Sequence, residues 1–223
     1  MDEFFVDSVQ HSFGDIKILN NVYLKCGVGE VVGVLGRNGC GKSTLLKIIF
    51  GTISPHYKHL RIDDKITQKG FLTGEIAYLS QSFFIPHYLK LSVAVKLYTN
   101  RYRGLLLQQP VFRDNLNEKI GNLSGGNRRL AEALLMIYSD AKYVLLDEPF
   151  SQLSPLLIEE IKTNINQMLS YKGFVITDHY YQHVLNYVSR TILLHNGCNY
   201  NIDNLDDLQL HGYLPNNMSS SIE

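Results

Sequence analysis

The run from Gly36 to Thr44 (GRNGCGKST) combines three glycines, a lysine and two hydroxyl residues. Its spacing fits the pattern G-x-x-x-x-G-K-[ST], in which backbone N–H groups cradle phosphate oxygens. Glycine permits the tight backbone curl that such a cradle requires. Lys42 would place a positive charge on the β- and γ-phosphates, and the Ser43 hydroxyl would be a Mg²⁺ ligand. We therefore predict that a nucleoside triphosphate binds to Gly36, Arg37, Asn38, Gly39, Cys40, Gly41, Lys42, Ser43 and Thr44.

Two adjacent carboxylates, Asp147 and Glu148, follow the apolar run from Tyr143 to Leu146. Ligand sites in α/β sheets lie at the carboxyl ends of the strands, where this pair would stand. Asp147 is suited to hold Mg²⁺ through water. Glu148 is then placed to orient or deprotonate a water molecule that attacks the γ-phosphate. An acidic pair at a strand end is often only a solvated surface, but the phosphate loop in the same chain favours the catalytic interpretation.

A second glycine pair, Gly125 and Gly126, follows Leu123 and Ser124 at the start of a helical pattern. Ser124 is a good N-cap residue, and the first N–H groups of a helix form a natural site for an anion. The sequence therefore contains two places that could bind phosphate.

Together these motifs resemble the nucleotide-binding domain of ATP-binding cassette (ABC) proteins, and the resemblance covers almost the whole chain. It implies an ATPase that uses ATP and Mg²⁺ and couples hydrolysis to transport. It also implies that the second glycine segment is the signature motif, which binds the ATP held by a second subunit. The residues of that motif are Ser124, Gly125, Gly126 and Asn127.

Three further residues acquire roles only through this resemblance, since each of them alone would usually be structural. Gln81 matches a metal and water contact that senses the γ-phosphate. His179 matches a histidine that contacts the γ-phosphate, and Phe13 matches an aromatic residue that stacks on adenine. The resemblance thus assigns catalytic roles to Glu148, His179 and Gln81, and metal contacts to Ser43, Gln81 and Asp147.

Two positions depart from the common family pattern. Asn127 stands where the signature usually ends in glutamine, and we expect a modest effect on affinity. Ser154 stands where a loop that links the two sites of a dimer commonly has aspartate. We therefore expect the change at Ser154 to affect communication between the two sites.

The elements that must position these residues can also be predicted. Glu30 to Gly36 is an almost continuous apolar, β-branched run, typical of a strand buried on both faces, and Lys42 to Phe50 follows as a helix that ends at Gly51. Gly173 to Thr177 is a further strand, and each of these strands precedes a helical pattern, as in an α/β sheet with partly parallel strands.

The remaining segments suggest how the domain is organised. The stretch from Phe4 to Leu24 predicts antiparallel strands joined by a turn, and a helical subdomain is predicted at about 86–140. The expected fold is α/β, a P-loop NTPase core with an N-terminal antiparallel β-subdomain and the inserted α-helical subdomain. Residues 1–215 would form one ABC ATP-binding domain, followed by a polar tail at 216–223.

Composition excludes several other classes of protein. Of the 223 residues, 45% are apolar and 19% charged, which excludes a disordered chain. The net charge is zero, unlike that of a dedicated nucleic-acid binder. No run approaches the roughly 18 to 20 apolar residues of a membrane span, and the start of the chain carries acid where a secretory signal carries base. The three cysteines are scattered, which argues against disulfides and zinc.

We expect a cytoplasmic ATPase subunit that dimerises on ATP, as a homodimer or with a paired ABC subunit. It would lie at the inner face of the cell membrane through transmembrane permease subunits on separate chains. Phe83 to Leu89 would contact those subunits or belong to the core of the helical insert. One alternative is a soluble ABC ATPase acting on the ribosome or DNA, which a single cassette without heptads disfavours. The other is a regulatory cassette. The transported substrate and the direction of transport do not follow from the sequence.

Overall fold

The computed structural model describes residues 2–178 and 181–215, in which ten strands and eight α-helices form. The strands are β1 (Glu3–Phe13), β2 (Ile16–Gly27), β3 (Val31–Leu35), β4 (Tyr57–Ile62), β5 (Lys65–Ile66), β6 (Ile76–Leu79), β7 (Tyr143–Asp147), β8 (Gly173–Thr177), β9 (Arg190–His195) and β10 (Cys198–Ile202). The helices are α1 (Lys42–Phe50), α2 (Leu91–Tyr98), α3 (Arg103–Gln108), α4 (Pro110–Arg113), α5 (Gly125–Ile137), α6 (Pro155–Met168), α7 (Tyr181–Leu185) and α8 (Leu205–Leu210).

The first sheet is antiparallel and has the strand order β2-β1-β4-β5. Strands β1 and β2 are long and are joined by a two-residue turn at Gly14 and Asp15, where Gly14 has a φ of 57°. Buried apolar residues, among them Phe4, Val6 and Leu24, alternate with more exposed and mainly polar residues along β1 and β2, as expected when one face of an antiparallel sheet is covered. The predicted antiparallel N-terminal strands are confirmed.

The second sheet has the order β10-β9-β3-β8-β7-β6, and only the pairing of β9 with β10 is antiparallel among the described strands. Every residue of β3, β7 and β8 is buried. One face packs against α1 and the antiparallel sheet, and the other packs against α5 and α6. The predicted α/β fold is confirmed, and parallel strands bring the ends of β3, β7 and β8 to one edge of the sheet.

The chain between β6 and β7 is mainly helical, since it contains α2, α3, α4 and α5. These helices share one apolar core with α6. The division of the chain into one domain with a helical subdomain at about 86–140 stays a prediction, and the polar tail at 216–223 lies outside the described residues. Across the described ranges we find no helix with the length and apolar character that a membrane span requires.

Lys172 is a fully buried cation in the turn before β8. Its Nζ donates hydrogen bonds to the backbone carbonyls of Ser139 and Ala141, and it lies 5.0 Å from the centre of the Tyr102 ring. Burial lowers the pKa of Lys172 from 10.5 to about 7. The Lys172 side chain therefore links the residues after α5 to the start of β8, and it places an ionisable group in the interior.

Lys172→Met is expected to isolate the effect of the ionisable group on stability, because it keeps an unbranched side chain of nearly the same length and removes the titrating group. Between pH about 7 and about 10.5 the unfolded wild type binds a proton that the folded protein has lost, so its stability rises with pH. The free energy of unfolding of wild type minus that of the variant should grow by up to a few kcal/mol across this window and stay flat below it. Urea denaturation at about pH 6.5 and about pH 9 measures this difference. Parallel pH profiles would contradict the assignment.

Candidate active site

The phosphate loop predicted from the sequence connects β3 to α1. Gly36 and Gly41 have φ values of 156° and 108°, which side chains rarely allow. A Cβ atom on Gly36 would lie 2.7 Å from the Leu194 carbonyl oxygen, and one on Gly41 would lie 2.8 Å from the Ile18 side chain. These glycines are therefore required by the turn itself, and α1 begins with its first N–H groups facing the loop.

The Lys42 side chain curls back into this loop. Its Nζ donates to the backbone carbonyl of Gly36 at 2.6 Å and to that of Arg37 at 3.3 Å. The side chain is buried, so its charge stands inside the concave face of the loop rather than in bulk solvent. Cys40 is half-buried in the same loop, and burial raises the pKa of its thiol.

Asp147, at the end of β7, is fully buried and is held by three hydroxyl groups from three different elements. Its Oδ1 accepts hydrogen bonds from Ser43 Oγ at 2.9 Å and from Thr177 Oγ1 at 2.8 Å. Its Oδ2 accepts a bond from the Tyr78 hydroxyl at 2.9 Å. Burial, with the adjacent carboxylate, raises the pKa of Tyr78, so that hydroxyl stays protonated and donates.

Glu148 has an unusual backbone conformation, with a φ of 48°. A non-glycine residue in this region is strained, and such strain concentrates at functional sites. Its amide donates to Thr177 Oγ1 at 3.0 Å, and its Oε2 accepts a hydrogen bond from Gln81 Nε2 at 2.8 Å. The carboxylate is thus turned toward the phosphate loop and is held by Gln81, which the family resemblance also assigns to the site.

A cavity of about 370 Å³ joins half of the predicted site residues. Its walls are Phe13, Ile18, Asn38, Gly39, Gly41, Lys42, Ser43, Thr44, Gln81 and Glu148. The ring of Phe13 is 53% exposed and packs edge-on against His11, with 4.7 Å between ring centres. His179 lies outside the described residues.

The glycine segment at the start of α5 does not line that cavity. Ser124 caps α5, because its hydroxyl accepts a hydrogen bond from the Asn127 amide at 3.3 Å. Gly125 and Gly126 instead line a neighbouring cavity of about 440 Å³, which Gln81 also borders. Within this chain the structure therefore keeps the two predicted phosphate-binding segments apart.

Three residues of the site were missed by sequence reasoning: Tyr78, Thr177 and Arg129. The Arg129 side chain is 5% exposed and donates to the backbone carbonyls of Ser80 at 2.6 Å, Asp147 at 2.9 Å and Glu148 at 3.1 Å. It therefore ties α5 to the ends of β6 and β7. Tyr78 and Thr177 could have been identified from their positions near the carboxyl ends of strands, where site residues collect.

A family model described as ABC transporter matches residues 19–151, which is more than half of the chain. The chain belongs to the ABC transporter family. It is an ATP-binding cassette of that family, and its reaction is the hydrolysis of ATP coupled to transport.

Relatives of this ABC cassette include a probable sulfate/thiosulfate import ATP-binding protein from Chlorella vulgaris. It is 30% identical, and the alignment covers 92% of this chain and 93% of the relative. The lipopolysaccharide export system ATP-binding protein of Escherichia coli K12 is 29% identical over 81% of this chain and 82% of its own length.

Solved structures show the same fold as this ABC cassette. An ATP binding subunit of an ABC transporter superposes with a TM-score of 0.81 at 22% identity, covering 94% of this chain and 93% of that one. A nucleotide-free ATP-binding cassette superposes with a TM-score of 0.76 at 19% identity, covering 96% of both chains.

Proposed function

We propose that two cassettes close around two molecules of MgATP, each held between the phosphate loop of one cassette and the segment Ser124–Asn127 of the other. Closure and reopening would drive transmembrane subunits on separate chains. The observation that carries this proposal is the separation of the two phosphate-binding segments within one chain. The residues at the start of α5 line a different cavity from Lys42, so a triphosphate on the loop needs a second cassette to reach them.

The cavity supplies the contacts that ATP requires. Asn38 to Thr44 offer backbone N–H groups, and Lys42 offers the cation for the β- and γ-phosphates. The exposed ring of Phe13 forms the opposite wall and offers a flat surface on which adenine stacks. Arg37 lies on the outer side of the loop, where its guanidinium donates to the Gly212 carbonyl at 2.8 Å, so its contribution is to hold the loop.

The oxygen atoms around Ser43 and Asp147 fit Mg²⁺. They are hard ligands, a hydroxyl and a carboxylate, and the two oxygens are already 2.9 Å apart. No group of three His, Cys, Asp or Glu side chains gathers among the described residues, so the cation would be shared with phosphates and water, as is usual for Mg²⁺. Gln81 would add an amide oxygen. When bound, the cation neutralises charge on the phosphate oxygens.

Glu148 is the general base of this proposal. Its carboxylate borders the cavity beside Ser43, and Gln81 holds one carboxylate oxygen at 2.8 Å. The carboxylate would accept a proton from a water molecule directed at the γ-phosphate. His179 would contact the γ-phosphate, as the family resemblance implies.

A second, apolar cavity of about 370 Å³ is the candidate contact for the transmembrane subunits, which would hold the cassette at the inner face of the cell membrane. Its walls are Phe50, Phe71, Ile76, Ala77, Tyr78, Ser80, Phe84, Tyr98 and Met136. The adjacent loop is tied to α5, because the fully buried carboxylate of Glu132 accepts hydrogen bonds from the amides of Phe84 and Ile85 at 3.4 and 3.2 Å. Force on this loop therefore reaches α5 and the segment Ser124–Asn127 at its start.

The cargo is proposed to be set by the transmembrane subunits. Relatives of similar identity carry names of an importer and of an exporter with different cargo, so the cassette is common to both directions. No nucleic acid partner is proposed.

The shared site is tested by mixing two variants that should each be inactive. Lys42→Ala removes the positive charge that faces the β- and γ-phosphates. Gly126→Asp places a carboxylate where the triphosphate of the other cassette approaches, which is strongly repulsive in a dry interface. In a heterodimer both changes fall in one composite site, and the other composite site is intact. Mixing equal amounts should restore about a quarter of the wild-type ATPase rate, because half of the dimers regain one of two sites.

Two controls accompany the mixing experiment. Lys42→Ala mixed with Glu148→Gln should regain nothing, because both residues belong to the phosphate-loop side and every site keeps one change. Gly126→Ala tests bulk alone, since its Cβ would lie 2.9 Å from Leu157 Cδ1 and carries no charge. Full ATPase activity of Gly126→Asp by itself would exclude the segment Ser124–Asn127 from the site.

A further inference from the structure

Tyr78 connects the two cavities described above. It is the third residue of β6, and its hydroxyl donates to Asp147 Oδ2 at 2.9 Å. Its ring lines the apolar cavity on the other side and lies 5.5 Å from the ring of Phe50, measured between centres. One side chain therefore contacts both the buried carboxylate of the active site and the wall of a cavity that holds none of the phosphate-binding residues.

The placement of Tyr78 is fixed by regular structure. Strand β6 pairs with β7 in parallel, with Tyr78 opposite Leu145, two residues before Asp147. Phe50, which packs against the ring, is the last residue of α1, and Ser43 is the second residue of the same helix. Tyr78 thus lies on β6 and contacts residues of α1 and β7, the elements that carry Ser43 and Asp147. Sites built on strands and helices hold their geometry well.

The division of hydrogen bonds at Asp147 gives the hydroxyl of Tyr78 a distinct role. Oδ1 accepts from Ser43 and Thr177, and Oδ2 accepts from Tyr78. In a fully buried carboxylate, removing the donor to Oδ2 leaves a charged oxygen without that compensation, which favours rotation of the group. Rotation of the carboxylate would turn Oδ1 away from Ser43.

We propose that Tyr78 is a positioning residue for the cation of MgATP: its hydroxyl fixes the Asp147 carboxylate with Oδ1 toward Ser43. The inference rests on the proposed function, in which Ser43 and Asp147 hold that cation. Tyr78 and Gln81 would act separately, since Tyr78 contacts Asp147 and Gln81 contacts Glu148.

The test is Tyr78→Phe, which removes one hydroxyl and keeps the ring against Phe50. The matched control is Tyr98→Phe, which removes a hydroxyl from another wall of the same apolar cavity. Calorimetry measures the affinity for ATP with EDTA and with Mg²⁺, and paramagnetic resonance of Mn²⁺ in the complex with ATP reports the cation environment directly. We expect Tyr78→Phe to bind ATP in EDTA with the affinity of the wild type. The factor by which Mg²⁺ increases the affinity for ATP should be about ten-fold smaller than in the wild type, and the Mn²⁺ spectrum should be altered.

A double-mutant cycle separates positioning from general damage to the fold. If Tyr78 acts through Asp147, then Tyr78→Phe should have no further effect on Mg²⁺-dependent binding in an Asp147→Asn background. Equal Mg²⁺ dependence in the wild type and Tyr78→Phe would overturn the inference, as would an equal loss in Tyr98→Phe or in EDTA. A wild type without any Mg²⁺ dependence or Mn²⁺ signal would instead overturn the proposed function itself.

Discussion

Glu148→Gln is expected to bind MgATP like the wild type and to lose at least about a hundred-fold in turnover. The amide keeps the shape of the side chain, and its oxygen can still accept the hydrogen bond from Gln81. It cannot take a proton from water, so the closed dimer should form and fail to reopen. Phosphate release measures the rate, and size-exclusion chromatography with ATP should show twice the mass of the nucleotide-free variant.

Glu159→Gln is the matched control for this experiment. Glu159 is an exposed carboxylate on α6 that pairs with Lys162, so its change should alter neither the rate nor the mass. A Glu148→Gln protein that stays monomeric with ATP and hydrolyses it at the wild-type rate would exclude Glu148 as the base.

Arg129→Met is expected to lower the free energy of unfolding by about 3–5 kcal/mol. Arg129 is buried and donates to three backbone carbonyls, those of Ser80, Asp147 and Glu148. Methionine fills much of the same volume but leaves all three acceptors without this donor. The ends of β6 and β7 would lose a common anchor, so ATPase activity should fall as well.

Arg113→Met provides the comparison for Arg129→Met. Arg113 is exposed and pairs with its neighbour Asp114, so methionine there should leave the denaturation midpoint at the wild-type value. Denaturation in urea measures both variants. If Arg129→Met and Arg113→Met had the same denaturation midpoint, the three carbonyl contacts would add nothing to stability.

The parts of the fold that depend on local patterns could be predicted from the sequence. The helix Lys42–Phe50 has the bounds expected from its apolar spacing and from Gly51, which ends it with a φ of 110°. The strands that end at Asp147 and Thr177 are buried throughout and contain no charged or hydroxyl side chain before those two residues except that of Tyr143, and burial on both faces leaves such a pattern in the sequence. Ser124 caps α5 as its residue type suggests.

The parts that depend on distant contacts could not be predicted. Strand β10 alternates with asparagines at 199 and 201, which resemble a loop, and it forms because β9 offers an edge to pair with. Arg129 stands within a helical pattern where a charged residue usually faces solvent. Its burial follows from three carbonyls at the carboxyl ends of β6 and β7, and no spacing along the chain reveals that they converge.

The bond between Glu132 and the loop after Gln81 has a consequence for how such a cassette can diversify. The groups that Glu132 holds are main-chain amides of Phe84 and Ile85, so the attachment does not depend on which side chains those positions carry. If the loop contacts the transmembrane subunits as proposed, its side chains could change to suit a different membrane protein while the attachment to α5 persists. The same ATPase core could then serve different cargoes, because the partner would contact side-chain atoms of the loop and α5 would be attached through main-chain atoms.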